Sequence, residues 1–444
     1  MFRIFAPCVL TLLIALVLAG CDSGSTPPPV EDIVTDDVQT YLQELPPWEV
    51  FSPTEPPQPP TPAGPAVTLP DTTMDVEVIQ EDGSTEILPD MTYSCTSTPF
   101  TIQDTPEQIV MYSPDKELLY PGALIQGKSY AQGLGGLLGL PIAERAPIRV
   151  SIPGLANDDN MRTVETPNQA SVDQAIGSMI GNATESGLVT PSTISFKMEE
   201  YHSESQFALS IKASGRYMNF EASASGEFSR NASETTVTAQ FYQKMFEVVV
   251  EPPQTPDAFF SDEFTAEKLQ EQIDLGRLGR DNLPVYVSNV VYGRMMVFSL
   301  TSTASEQEIR APLQAAYRNV NAEAEVELSA QQRSILRESK IAVASLGGDA
   351  EATLAVIRSG DWSQYFTENA PLSSAAPLSY TFRNLGDGSI ARVTETTEYN
   401  IRSCKAQAAN PGTYEFLAEQ TLTLPIPTPV ETHYGDVDGD GRTD

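Results

Sequence analysis

Two segments of this chain carry side-chain orders that satisfy a helix and a strand at once. That double reading restricts the fold more than any other feature of the sequence. In one segment Ile309, Ala311, Leu313, Ala315 and Tyr317 alternate with Arg310, Gln314 and Arg318. After Arg318-Asn319-Val320-Asn321 the alternation resumes, with Ala322, Ala324, Val326 and Leu328 against Glu323, Glu325 and Glu327. Yet Ile309, Leu313, Tyr317 and Val320 also fall on one helical stripe. Ala and Glu favour helix over strand, so the soluble segment is expected to be helical, with a side-chain order that suits an amphipathic hairpin. In the other segment Phe207, Leu209, Ile211, Ala213 and Tyr217 alternate with Ser210, Lys212, Ser214 and Arg216. A limb of Ile194, Phe196 and Met198 precedes them, with the tip expected near His202-Ser203-Glu204-Ser205. Limbs of about ten residues are what a tilted strand needs to cross lipid. The competing reading is a surface helix and an ordinary half-buried strand pair.

Charge narrows the partners. The 444 residues include 26 Lys and Arg against 60 Asp and Glu, a net charge of −34. No basic residue lies between Arg3 and Lys116, while 18 acidic residues lie between Asp22 and Asp115. Such a surface repels nucleic acid, which is excluded as a partner. Residues 1–20 read as a signal peptide: Arg3, then the apolar stretch Val9–Ala19, too short to span as a helix. It ends Leu18-Ala19-Gly20-Cys21, which resembles a bacterial lipobox and implies cleavage before Cys21 and lipid on its sulfur. The alternative is an ordinary signal with a chance Cys. Cys95 and Cys404 then form an even pair in an exported protein and are expected to be disulfide-bonded. His202 and His433 are the only histidines, and no nucleophile–base constellation stands out, so an enzyme is not expected.

Residues 21–65 read as a lipid anchor and an acidic, Pro-rich spacer unable to bury a core. The folded body is expected over 66–408 and a Pro-rich tail over 409–444. Helices are predicted over 171–180, from Thr265, and from Ser305, where Ser305 and Glu308 have capping-box spacing although Pro312 lies within. Strands are predicted at 74–79, 241–250, 285–301, 341–346, 378–383 and 390–399. The mixture reads as α+β with a large, mostly antiparallel sheet. The tail places Asp436, Asp438, Asp440 and Asp444 at loop positions 1, 3, 5 and 9, with Gly441 at 6. That spacing suits calcium in a nine-residue loop; a solvated acidic tail is the alternative. No other cofactor is expected.

Several blocks carry a family resemblance: LYPGALIQG at 119–127, RAPIRVSIPG at 145–154, YHSESQF at 201–207, VYVSNVVYGRMMVFSLTST at 285–303, SLGGDA at 345–350 and PLSYTFRN at 377–384. Together they resemble the cholesterol-dependent, thiol-activated cytolysins. The resemblance implies a scaffold, an elongated β connector and a twisted antiparallel sheet flanked by helical clusters. It implies two clusters, at about 190–218 and 305–332, that unfurl into transmembrane hairpins. The lipid face would carry Ile194, Phe196, Phe207, Leu209, Ile211, Leu313 and Leu328. The lumen face would carry Lys212, Arg216, Glu323, Glu325 and Glu327. Gly347-Gly348 resembles the family's glycine pair at the bend of the sheet; a local bulge is the plain alternative. The family's Trp-rich loop and cholesterol-reading Thr-Leu pair match nothing here, since Trp48 and Trp362 lie in other contexts. The aromatic that the family uses for inter-subunit stacking falls at Ile341. The expected function is therefore pore formation by a ring of copies in a lipid membrane, from a lipoprotein of the bacterial envelope, at the outer membrane or surface or released. A non-lytic surface lipoprotein, or a partner-dependent subunit with the same fold, is the alternative.

The lipobox yields a direct expectation. Cys21→Ser removes the only acylation site, so metabolic palmitate labelling of the protein falls to background. Undiminished label in the variant contradicts the motif.

Overall fold

The computed structural model describes residues 37–111, 117–132, 136–155, 160–185, 193–199, 201–210, 212, 233–320, 327–346 and 372–407. Its chain forms two antiparallel sheets. The smaller is built on β4 (Thr85–Asp104), which pairs along its length with β14 (Glu395–Ala406). Strands β1 (Gln58–Pro62), β2 (Val67–Thr68) and β3 (Thr72–Ile79) also pair with β4. The prolines of β1 sit on an edge, where missing N–H donors are tolerated. Cys95 lies directly opposite Cys404, and a disulfide joins them across 309 residues of sequence. This connector is thin and Thr-rich, and most of its side chains are at least partly exposed.

Among the described residues the larger sheet has nine strands. Its centre is the pair β10 (Thr235–Val250) and β11 (Pro284–Ser302). Both are rich in Val, Phe, Met and Tyr and largely buried, as strands covered on two faces are. The remaining strands are β5 (Ile109–Val110), β6 (Leu124–Gln126), β7 (Ile148–Ser151), β8 (Met161–Val164), β9 (Thr193–Glu199), β12 (Lys340–Leu346) and β13 (Ala376–Asn384). The strand predicted at 390–399 begins only at Glu395; Ile390 makes a single bridge to Arg383.

One large core gathers α1 (Val38–Gln43), α2 (Trp48–Phe51), α3 (Gly127–Gln132) and α4 (Gln169–Glu185) against β5–β8, β13 and the first half of β11. The reading of 21–65 as a spacer is corrected here. Tyr41, Leu42, Leu45 and Trp48 repeat at helical spacing and are buried in this core. The prolines and acids around them mask that stripe in the sequence. Asp37, one of the acids, caps α1 by accepting the Thr40 N–H at 2.8 Å. Trp48 is fully enclosed, its Nε1–H donates to the Arg392 carbonyl at 2.6 Å, and its ring lies 5.8 Å from that of Tyr130. The folded body therefore includes Tyr41–Trp48.

A fully buried Trp that also supplies a hydrogen bond is expensive to remove. Trp48→Ala is expected to lower unfolding free energy by about 3–5 kcal/mol, read from the urea midpoint at constant slope. A change within error would show that the N-terminal strap is dispensable.

Candidate functional site

The sheet is two half-sheets sharing β10 and β11. On one side, β11 pairs with β13 as far as Gly293 and with β12 from Met295 onward. On the other, β10 pairs with β9 as far as Lys244 and with β7 from Val249. At the junction both neighbours of β11 shift register: β10 between Lys244 and Phe246, and β13 opposite Val291 and Tyr292. A Cβ on Gly293 would collide with the Gln243 carbonyl oxygen and stand 3.0 Å from Leu378 Cδ1. Only glycine permits this approach. Tyr292 stacks on Phe246 at 5.0 Å, and burial pushes both the Tyr292 and Tyr380 phenols well above their ordinary value. Gly293 was not singled out from the sequence, although a lone glycine inside a long apolar β run is the available signal. The Gly347-Gly348 pair lies outside the described residues.

The half-sheet β9–β10–β11–β12 has its own core. Val237, Ala239, Phe241, Met296, Phe298 and Leu300 form one face and are buried by α7 (Glu306–Val320) and α8 (Ala330–Glu338). Among the described residues the remaining α-helices are α5 (Glu204–Ser210) and α6 (Ala266–Asp274). The expected helical state of 305–320 is what folds. Ile309 and Leu313 are completely buried, and Tyr317 stacks on Phe196 at 4.6 Å. Phe196 in turn lies 4.3 Å from Phe241. At the start of α7 the Ser305 N–H donates to Glu308 Oε2 at 2.8 Å, and the Glu308 N–H lies 3.4 Å from Ser305 Oγ. Ser329 and Gln332 cap α8 in the same reciprocal way. Pro312 stays inside α7 and is buried.

The other segment differs from its expected arrangement. Ile194 and Phe196 lie in β9, already paired with β10, and pack on the half-sheet core. Phe207 and Leu209 lie in α5, with Leu209 buried. His202, just ahead of α5, stacks on Tyr399 of the connector at 6.2 Å. Lys212 has a left-handed backbone, φ 60°, and its carbonyl accepts the Val110 N–H at 3.0 Å. Leu328 is half-buried against the half-sheet core and Glu327 is exposed. Cys21, Ile211, Arg216, Glu323, Glu325, Asp436, Asp438, Asp440 and Asp444 lie outside the described residues. Among the described residues no three His, Cys, Asp or Glu are placed to hold a metal, and no helix is long and apolar enough to cross a membrane.

The chain belongs to the thiol-activated cytolysin family, whose model matches residues 96–405. It is 27% identical over 310 residues to tetanolysin of Clostridium tetani, covering 67% of this chain and 56% of that protein. It is 28% identical over 293 residues to a hemolysin of Bacillus cereus, covering 63% and 58%. The chain thus spans little more than half the length of these curated relatives. A non-hemolytic pneumolysin from Streptococcus pneumoniae strain ST306 shares the fold, with TM-score 0.58 at 21% identity over 76% of this chain and 70% of that one.

The junction generates a contrast. Gly293→Ala is expected to cost about 3 kcal/mol or more, because backbone on β10 must move. Gly177→Ala, in open space on α4, is expected to be neutral or slightly stabilising. Equal urea midpoints for the two variants would contradict the close approach.

Proposed function

We propose that this protein is a membrane-perforating lipoprotein anchored through Cys21, in which the chain between β9 and β10 and the chain between β11 and β12 refold into two transmembrane hairpins. The observation that carries this is register. Each converting segment connects two strands that are already antiparallel partners. The β11–β12 ladder ends with Thr301 opposite Lys340. Extended without a slip, it closes on a two-residue turn at Val320-Asn321, where the sequence alternation also turns. That register sets Leu313 opposite Leu328, Ala315 opposite Val326 and Tyr317 opposite Ala324 on one face. On the other it sets Arg318 opposite Glu323, Gln314 opposite Glu327 and Glu308 opposite Arg333. Apolar pairs with apolar and cation with anion, the arrangement that stabilises cross-strand neighbours. A slip of one residue toward the turn would put Leu313 opposite Glu327, Ala315 opposite Glu325 and Tyr317 opposite Glu323.

The β9–β10 ladder ends with Glu199 opposite Thr238. Its extension turns at Met218-Asn219, not at His202–Ser205. Leu209 then faces Phe228, Tyr217 faces Phe220, and Arg216 faces Glu221 on the opposite face. The signal for this limb is the alternation of Phe220, Ala222, Ala224 and Phe228 with Glu221, Ser223, Ser225 and Glu227. In an unbroken strand Ile194 and Phe196 fall on the face opposite Leu209 and Ile211, so the two sets do not share a lipid face. Ile194 and Phe196 belong to the sheet above the bilayer.

All four limbs agree on orientation. Continued along β9 to β12, the face now covered by α7 and α8 becomes the polar face of both hairpins, and the opposite face becomes apolar. The covered face would therefore line the lumen, with Lys212, Arg216, Glu323, Glu325 and Glu327 on it. Leu209, Ile211, Leu313 and Leu328 would meet lipid. A lone pair of hairpins leaves backbone edges that lipid cannot satisfy, so copies would close a ring, β9 of one beside β12 of the next.

Leu209 and Leu313 are buried in the soluble fold, so charging either would test folding instead of lipid exposure. Ala311 and Gln314 separate the two. Both lie in α7, Ala311 half-buried and Gln314 exposed, but they fall on opposite faces of the hairpin. Ala311→Arg is expected to abolish dye leakage from phosphatidylcholine–cholesterol or phosphatidylcholine–phosphatidylglycerol vesicles, at about 2–4 kcal/mol per subunit. Gln314→Arg is expected to leak nearly as wild type. Equal leakage from both overturns the hairpin assignment, and vesicle binding without leakage by wild type favours the non-lytic reading.

A further inference from the structure

The β3–β4 hairpin lies ahead of the family-matched span of 96–405, and its far end leaves the connector sheet to reach the helical pair. Its tip, Gln80–Ser84, meets α8. Ser334 Oγ–H donates to the Gly83 carbonyl at 3.0 Å, and Ser334 is almost wholly buried there. Gly83 has φ +82°, and a Cβ on it would stand 3.1 Å from the Ala330 carbonyl, so the two backbones are in close contact. One step back, Gln331 Nε2 on α8 donates to the Ile79 carbonyl at 3.4 Å and to Glu308 Oε1 of α7 at 3.0 Å. The Ile79 side chain packs into the same core as Ile309, Leu313 and Ile335. Further along β3, the Thr303 hydroxyl donates to the Glu77 carbonyl, and the Ser233 hydroxyl lies 3.4 Å from Met74 Sδ.

These contacts share a pattern. Ser233 lies two residues ahead of β10 and Thr303 immediately follows β11, so each marks one end of a converting segment. Residues 330–338 are the limb that must leave α8 before the β11–β12 ladder can extend. One short hairpin therefore touches one end of each segment and the helix itself. It is acidic throughout, with Asp75, Glu77, Glu81, Asp82 and Glu86 and no Lys or Arg, while α8 carries Arg333 and Arg337. Opposite charge draws the two together without a bridging ion pair having to form.

We infer that the β3–β4 hairpin is an intramolecular clasp that holds α7 and α8 against the half-sheet and must swing away before the segments refold. This rests on the refolding reading above, but the clasp itself can be tested in the soluble protein. The full-length chain is compared with Ile79→Ala and Ser334→Ala, singly and together, by hydrogen exchange. Residues 330–338 are expected to exchange roughly tenfold faster in the double variant, with α4 unchanged, since the packing of a half-buried Ile and the hydrogen bond of a buried Ser are lost at one contact. The opposite variant closes the clasp. A Cβ on Gly83 would lie 3.6 Å from Ser334 Cβ, within the range a disulfide spans. Gly83→Cys with Ser334→Cys, oxidised, is expected to lose vesicle leakage and regain it on reduction, while Ser334→Cys alone leaks in either state. Unchanged exchange in 330–338 of the loosened variant overturns the clasp, and so does full leakage by the locked one. If wild type leaks from no vesicle, the pore reading fails by itself and the exchange result still decides whether the hairpin restrains α8.

Discussion

The approach of the β11 backbone at Gly293 to the Gln243 carbonyl of β10 leaves no room for a side chain, and the rest of the sheet is arranged around it. Two long strands run unbroken through this point while their outer partners change on both sides. Register shifts in β10 and β13 absorb the mismatch at the same level. Because the backbone is continuous and the flanking strands are not, the sheet can carry two separate cores. One is broad and includes the N-terminal strap around Trp48; the other is small and aromatic, centred on Phe196, Phe241, Phe298 and Tyr317.

The smaller core shows why the sequence of α7 fits both the observed helix and the proposed hairpin. In α7 the residues Ile309, Leu313 and Tyr317 are selected by helical spacing, and the sheet below rewards that spacing with complete burial of the first two. Read at period two, the same residues stay on one side, because four is a multiple of two. Helix and strand thus share their apolar set, and only the partner differs: a neighbouring core in the fold described, lipid in the proposed hairpin. Pro312 costs the helix a backbone hydrogen bond and so would narrow the gap to the proposed hairpin. Reciprocal caps at both helix starts and the β3–β4 hairpin hold the balance on the helical side.

The connector supplies leverage without bulk. A ribbon of β4 and β14, stapled between Cys95 and Cys404, is too thin to have a core of its own, so its position is set where it touches other elements. Those contacts fall on His202 ahead of α5 and on α8, both within the segments that are proposed to refold. A shift of the ribbon would therefore reach both segments together.

Much of this could be read from the residues. The stripe in α7, the cap at Ser305 and Glu308, the long apolar strands and the alternation on either side of Val320-Asn321 are all local patterns, and local patterns survive in a linear sequence. What the sequence left undetermined depends on distant partners. The helical stripe Tyr41–Leu42–Leu45–Trp48 lies among prolines and carboxylates and acquires meaning only when a core built from residues far along the chain, from Ile109 onward, encloses it. The limb from Phe220 to Phe228 alternates plainly, but nothing near it says which segment it would pair with; the β9–β10 register does. Gly293 is one of 28 glycines until the β10 backbone arrives beside it. Periodicity by itself determined which residues share a face. Only the tertiary structure decided which strand each face belongs to, in what register, and toward which side of the sheet, because those depend on hydrogen-bond ladders between residues far apart in the chain.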